Sequence, residues 1–231
     1  MNEPANNEAA ASPIAAHIDH TLLRADATAP EIDALCQSAR EYRFAAVCVN
    51  PVWVSRVAQE VEGFGIAVAA VCDFPLGAST PAAKAEAARL AIADGATEID
   101  FVIDLGAAKS GDWGRVSEGA RAVVAVCHAG GALTKAILET SVLLPEEVGR
   151  ATNVCSVAGV DFVKTSTGFN GRGASVEDVR IMKAAAGPGV RVKASGGIRS
   201  AADARAMLEA GADRIGTSAG VAIVEGWDAE S

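Results

Sequence analysis

Lys164 ends an otherwise apolar run in Gly-Val-Asp-Phe-Val-Lys-Thr-Ser-Thr-Gly-Phe (159–169), and Lys193 repeats the placement in Val-Arg-Val-Lys-Ala-Ser-Gly-Gly (190–197). A lysine among residues bound for the interior must either snorkel to water or do chemistry. The chain has six lysines against fourteen arginines, so two at successive strand ends fit surface decoration poorly. A free lysine amine, with a pKa near 10.4, is under about 0.1 % unprotonated at neutral pH. Attack on a carbonyl needs that value nearer ~7, which means destabilising the ammonium by about 4 kcal/mol. Burial supplies part of this, and a neighbouring cation supplies more. Lys193, with Lys135 as a second source, could be that cation for Lys164. Asp100 fits a third requirement, because carbon–carbon cleavage through an iminium and enamine must move protons on and off carbon and oxygen. It could do so through an ordered water, or it could only neutralise a buried lysine. The residues alone leave both readings open.

The elements that must position these groups alternate along the chain. Strand-like runs are expected at Ile14–His20, Ala45–Asn50, Ile66–Phe74, Glu98–Leu105, Leu133–Thr140, Val160–Ser166, Val190–Ser195 and Arg214–Thr217. Helical stretches fall between them, at Ala29–Tyr42, Pro51–Val61, Pro81–Ala93, Trp113–Ala129, Glu146–Ala158, Val176–Ala186 and Ala201–Ala210, with a last helix after strand eight. Pro51, Pro81 and Pro145 lie where a first helical turn tolerates proline. Runs such as Ala-Val-Ala-Ala-Val-Cys are apolar throughout, as in parallel strands covered on both faces. Eight such units predict an α/β fold, a single-domain (β/α)8 TIM barrel. An open dinucleotide-binding sheet would want a Gly-x-Gly-x-x-Gly turn after strand one, which is missing here. The barrel is expected over residues 13–226, between a disordered tail at 1–12 and a short tail at 227–231.

In a barrel, polar residues at the C-terminal ends of strands are the site candidates. Those residues are Asp19, Thr21, Cys48, Asn50, Asp73, Asp100, Asp104, Lys135, Glu139, Lys164, Lys193, Ser195, Thr217 and Ser218. Residues two apart share a strand face, which groups Asp100, Val102 and Asp104, then Phe162 with Lys164, then Arg191, Lys193 and Ser195. Strands six and seven are neighbours, so Lys164 and Lys193 are expected to approach each other. Lys135 is expected to supply supporting charge. Ser195-Gly196-Gly197-Ile198 and the stretch from Gly211 through Gly216 to Thr217 and Ser218 each close a strand and open a helix. Glycines let backbone N–H groups approach an anion, and a helix N-terminus favours negative charge. Together these two loops predict a phosphate site, with Thr165 to Gly168 and Gly171-Arg172-Gly173 as further donors.

The bulk numbers exclude other classes. A net charge of −9 argues against nucleic acid or an anionic membrane as the main partner. No apolar run approaches the roughly eighteen residues of a membrane span, and the N-terminus lacks the basic start of a secretory signal. The five cysteines are odd in number and widely spaced, as for free thiols in a reducing cytoplasm. Three histidines without His-x-x-x-His spacing give no metal site, and His17 and His20 lack the nucleophile of a hydrolase triad.

Several motifs carry a family resemblance, in order, from about residue 14 to 225. They are Asp19-His-Thr-Leu-Leu, Val47-Cys-Val-Asn-Pro, Val71-Cys-Asp-Phe-Pro-Leu-Gly, Glu98-Ile-Asp-Phe-Val-Ile-Asp, Lys135-x-Ile-Leu-Glu-Thr, Asp161-Phe-Val-Lys-Thr-Ser-Thr-Gly-Phe and Val192-Lys-Ala-Ser-Gly-Gly-Ile-Arg. The chain thereby resembles the deoxyribose-phosphate aldolase family. The resemblance implies a class I aldolase that reversibly splits 2-deoxy-D-ribose 5-phosphate into D-glyceraldehyde 3-phosphate and acetaldehyde, without metal or cofactor. It implies Lys164 as the Schiff-base lysine, Lys193 as the second active-site lysine and Asp100 as the proton relay. Gly196, Gly197 and Ser218 match phosphate-loop positions, Cys48 a cysteine near the substrate channel, and Asp19 and Thr21 a polar pair after strand one. The expected partner is a phosphorylated sugar or aldehyde, and a homodimer is compatible with it. Some members end in a tyrosine that aids proton transfer, whereas this sequence ends Glu225-Gly-Trp-Asp-Ala-Glu-Ser and its one tyrosine is Tyr42. Two other readings compete. A phosphate-binding isomerase or epimerase would share the glycine loops without needing both lysines, and a sugar-phosphate-binding barrel without turnover would need none of the three catalytic candidates.

Overall fold

The computed structural model describes residues 12–229, and it closes the expected barrel. The strands are β1 (Ile18–Leu22), β2 (Ala46–Val49), β3 (Ala67–Cys72), β4 (Glu98–Val102), β5 (Leu133–Ile137), β6 (Phe162–Lys164), β7 (Arg191–Ser195) and β8 (Arg214–Thr217). They pair in parallel in chain order, and β8 returns to β1 through Ile18↔Ile215 and Asp19↔Gly216. The helices α1 (Ala29–Tyr42), α2 (Val54–Glu60), α3 (Pro81–Ala93), α4 (Leu105–Lys109), α5 (Trp113–Ala129), α6 (Pro145–Ala158), α7 (Val176–Ala185), α8 (Ala201–Glu209) and α9 (Gly220–Ala229) cover it. No described helix is long and apolar enough to cross a membrane.

The differences from the sequence reading have local causes. Residues 15–17 form a tight turn before β1, closed by Ala15 N–H to Ser12 O and His17 N–H to Ile14 O, so the strand starts four residues late. The expected helix from Pro51 divides into a 3-10 turn, Pro51–Trp53, and α2. Strand four stops at Val102 because Asp104 caps the unforeseen α4, accepting from Ala107 N–H at 2.9 Å and pairing with Arg115 at 2.7 Å. Asp104 therefore does not share the face of Asp100. The last helix continues past residue 226 to Ala229, held by Tyr42 Oη donating to Glu225 at 2.9 Å and Ser12 Oγ donating to Asp228 at 2.6 Å. The tail expected before residue 12 lies almost entirely outside the described residues.

Branched apolar side chains from the outward strand faces and the helices make one continuous core around the barrel. The barrel interior is divided. Its β2–β3 side is a small apolar cluster of Ala46, Cys48, Ala69 and Val71. The remaining interior carries charge, where a barrel of this kind ordinarily stacks Val, Ile and Leu. Below Lys164 on the same strand face lies Phe162, with the Arg191 guanidinium 3.9 Å from its ring centroid and that of Arg214 5.7 Å away. Such cation–π stacking gives the charged layer an aromatic floor.

Candidate active site

Strand pairing brings the two lysines together, since Lys164 faces Lys193 in the β6–β7 register and Asp100 faces Lys135 in the β4–β5 register. Asp100 is the hub. Its Oδ2 accepts from Lys164 Nζ and Lys193 Nζ, each at 2.8 Å, and its Oδ1 accepts from Lys135 Nζ at 2.7 Å. Lys193 also pairs with Asp19, and Lys135 with Glu98. Arg214 completes the group, 2.6 Å from Asp19 and 3.5 Å from Glu98. Asp100 thus meets both lysines directly, as the charge-neutralising reading of this carboxylate expects.

The three lysines are not equivalent. Lys135 and Lys193 are fully buried, and the carboxylates around them outweigh the cost of burial, so both ammonium pKa values rise. Lys164 goes the other way. Burial and the Lys193 charge outweigh the attraction of Asp100 and lower its pKa. Burial alone would raise the Asp100 pKa, yet Lys135, Lys164 and Lys193 hold it well below the usual carboxylate range. Counting charge gives the same answer. Asp19, Glu98 and Asp100 face Lys135, Lys164, Lys193 and Arg214, so three negative charges meet four potential positive ones. The network is neutral when one base gives up its proton, and Lys164 has one carboxylate partner where Lys193 has two and Lys135 three.

Lys164 is also the lysine that reaches the cavity. A space of about 370 Å³ opens at the C-terminal ends of the strands, lined by Lys164 but not by Lys193, Lys135 or Asp100. The two glycine loops also line it. Gly196, Gly197, Ile198 and Arg199 follow β7, and Gly216, Thr217 and Ser218 close β8 just before α9. Gly196 stands at φ +88°, packed so that a Cβ would meet Gly173 Cα at 2.9 Å. Gly216 has a second use, because a Cβ there would lie 2.9 Å from Lys193 Cε. The cavity glycine is thus the space into which the second lysine folds.

The other sequence candidates divide. Thr21, Gly168, Gly196, Gly197, Gly216, Thr217, Ser218 and Ser195 line the cavity. Asp19 is buried one layer beneath it, as a counter-ion of Lys193, and does not line it. Cys48 is sealed among Ala46, Ala69 and Val71, and burial, with Asp100 adding to it, raises its thiol pKa. Thr165 faces away from Lys164, its Oγ1 accepting from Ser195 N–H and donating to Ser195 O, both at 3.0 Å, so it stitches β6 to β7. None of these three lines the cavity. Asn50 holds the loop after β1 by donating to Leu23 O at 3.1 Å, and Asp73 closes its own loop onto Ser79 and the buried Lys84. Glu139 accepts from Thr167 N–H at 3.2 Å and from Thr167 Oγ1, fixing the wall beside Lys164. Thr167, within the expected donor stretch from Thr165 to Gly168, lines the cavity, whereas sequence reasoning missed Glu98 and Arg214 inside the barrel, and Arg24, Phe169 and Arg199 on the cavity wall. Period two from Asp100 already put Glu98 on its face; nothing comparable marked the wall residues.

Residues 14–226 fit the model of the DeoC/LacD family aldolases. The chain belongs to that family. Among individual members, it is 52 % identical to deoxyribose-phosphate aldolase 1 of Bacillus licheniformis, over 94 % of this chain and 97 % of that one. It is 54 % identical to the deoxyribose-phosphate aldolase of Brevibacillus brevis, over 91 % and 94 %. The solved deoxyribose phosphate aldolase of Aeropyrum pernix superposes with a TM-score of 0.87 at 34 % identity, covering 94 % of this chain and 92 % of that one. The closed parallel barrel is a fold the chain shares with this solved aldolase, and the chain, as an aldolase, is a lyase.

Proposed function

We propose that this DeoC/LacD aldolase reversibly cleaves 2-deoxy-D-ribose 5-phosphate to D-glyceraldehyde 3-phosphate and acetaldehyde, with Lys164 as the iminium-forming nucleophile. The observation that carries the reading is that Lys164, the buried lysine whose pKa falls, is also the one that opens on the cavity. The neutral amine attacks the aldehyde carbon of the open-chain sugar, and loss of water leaves an iminium. That cation draws electrons from the bond between the second and third carbons. As this bond breaks and the third-carbon hydroxyl loses its proton, glyceraldehyde 3-phosphate leaves and an enamine remains. Protonation of the enamine carbon and hydrolysis free acetaldehyde and Lys164.

Asp100 Oδ2, in contact with both amines, is placed to take and return protons at Lys164 Nζ while Lys193 stays charged. Lys193 touches no cavity space, so it acts through Asp100 and through its field on Lys164. Gly196, Gly197 and Ser218, with the start of α9, suit a phosphate monoester in the cavity that Lys164 also lines. A reducing cytoplasmic setting accords with the five free, buried thiols. Assembly beyond the monomer is supported by the Aeropyrum pernix relative, whose structure is tetrameric.

The test is a cleavage assay that follows glyceraldehyde 3-phosphate formation, with 2-deoxyribose as the unphosphorylated control. The phosphorylated sugar should be cleaved with a kcat/KM at least tenfold higher, as each 1.4 kcal/mol of phosphate binding is worth about a factor of ten. Equal rates on both sugars, or no cleavage of either, contradict the assignment.

A further inference from the structure

The ion pair of Glu98 with Arg214, which does not line the cavity, has no part in the chemistry just described. Glu98 and Arg214 start β4 and β8, and both side chains turn into the barrel beneath the reacting layer. We propose that Glu98 and Arg214 are positioning residues that set the charge state of Lys164 from below, through Lys135 on one side and Asp19 on the other. This deepens the Schiff-base reading and rests on it.

The connections are short and continuous. Glu98 pairs with Lys135, whose Nζ lies 2.7 Å from Asp100 Oδ1, and Asp100 Oδ2 meets Lys164 at 2.8 Å. Arg214 lies 2.6 Å from Asp19, which pairs with Lys193, and Lys193 meets the same Asp100 oxygen at 2.8 Å. The two chains of ion pairs therefore converge on one carboxylate beside the nucleophile. The other ionisable groups facing this interior are the Cys48 thiol on β2, a weak acid pushed further up by burial, and Arg191 on β7, stacked on Phe162.

The charge count shows what each member does. Counted over the ion-paired groups, with Arg191 on Phe162 outside the count, charge balances with Lys164 unprotonated while both Glu98 and Arg214 are charged. Removing Glu98's negative charge leaves a surplus of positive charge and drives the proton off Lys164 more readily. Removing Arg214's positive charge leaves the balance satisfied with Lys164 protonated. The two substitutions must therefore act in opposite senses on one titration. A pair that only held the barrel together would give the same loss from either side.

The experiment is the pH profile of kcat/KM, whose acid limb reports the free-enzyme group that must lose a proton. Glu98→Gln, close to isosteric, should move that limb down by about half to one pH unit, and Arg214→Met should move it up by a similar amount. The double variant should return it near the parent value, and Arg214→Lys, which keeps the charge, should leave it in place. Borohydride trapping with acetaldehyde in each variant keeps the two ideas separate. Adducts on Lys164 with limbs that stay put, or that move the same way, overturn this inference while the Schiff-base reading stands. An adduct on another lysine in the parent enzyme overturns that reading itself. If Arg214→Met does not fold, the Glu98→Gln and Arg214→Lys profiles still decide, because the first must shift downward and the second must not shift.

Discussion

Replacing Lys193 with Met keeps a long apolar stem in the barrel and removes one charge. Lys164 Nζ and Lys193 Nζ each lie 2.8 Å from Asp100 Oδ2, so they are at most twice that distance apart. At that limit, two unit charges in a medium of effective dielectric about 20 repel by about 3 kcal/mol. Losing the repulsion should raise the Lys164 pKa by about two units. The charge count points the same way, since without Lys193 the three carboxylates are balanced by Lys135, Arg214 and a protonated Lys164. At neutral pH the nucleophilic fraction, and kcat/KM with it, should fall about a hundredfold, and more if Lys193 also donates a proton. The assay is steady-state cleavage measured from pH 6 to pH 10, alongside thermal unfolding to confirm that the variant folds. The deficit should shrink as pH rises and Lys164 loses its proton. A folded variant with near-parental activity at neutral pH, or with a deficit of the same size at every pH, refutes the electrostatic role.

Three further outcomes follow from the geometry. Gly216→Ala places a Cβ 2.9 Å from Lys193 Cε, and displacing that side chain should cost roughly ten- to a hundredfold in kcat/KM with the fold intact; an active variant would mean the lysine has room to move. Asp100, held well below its ordinary pKa, binds protons less readily when folded than when unfolded. Its contribution to stability is therefore full above about pH 4 and is lost as pH falls toward the folded value; urea midpoints measured from pH 6 downward should drop below that point and be flat above it for this group. Chelators should leave cleavage unchanged, since the interior carboxylates are occupied by lysine and arginine rather than left open to a cation; loss with EDTA and recovery with zinc would point to different chemistry.

Much of this site was legible in the sequence because strand alternation is strict. Lys164 and Lys193 stand at matching positions of adjacent strands, and the parallel register pairs them. The glycine loops were legible for the same reason, each lying between a strand and a helix. Depth along the barrel axis was not. Asp19 and Thr21 share a face of β1, yet one lies beneath the cavity and the other lines it. Thr165, next to Lys164, takes the opposite face and bonds to Ser195, as strand alternation requires. Cys48 is a buried thiol, and the interior on its side is filled by Val71 and alanines, a matter of packing volume that one strand cannot disclose. The short α4 went unseen because it rests on the Asp104 cap and Arg115, one turn of local bonding inside a run that reads as strand. Glu98 and Arg214 were passed over because each looks like a solvated strand end until the closed barrel brings β8 and β4 to the same interior.

The central claim is that Lys164 forms the covalent intermediate, and reductive trapping tests it most directly. Enzyme incubated with acetaldehyde and sodium borohydride, then digested and mapped by mass spectrometry, should carry a reduced two-carbon adduct on Lys164. The adduct should be absent from Lys164→Met. A stoichiometric adduct on Lys193 or Lys135, or full activity with no adduct on any lysine, would contradict the account.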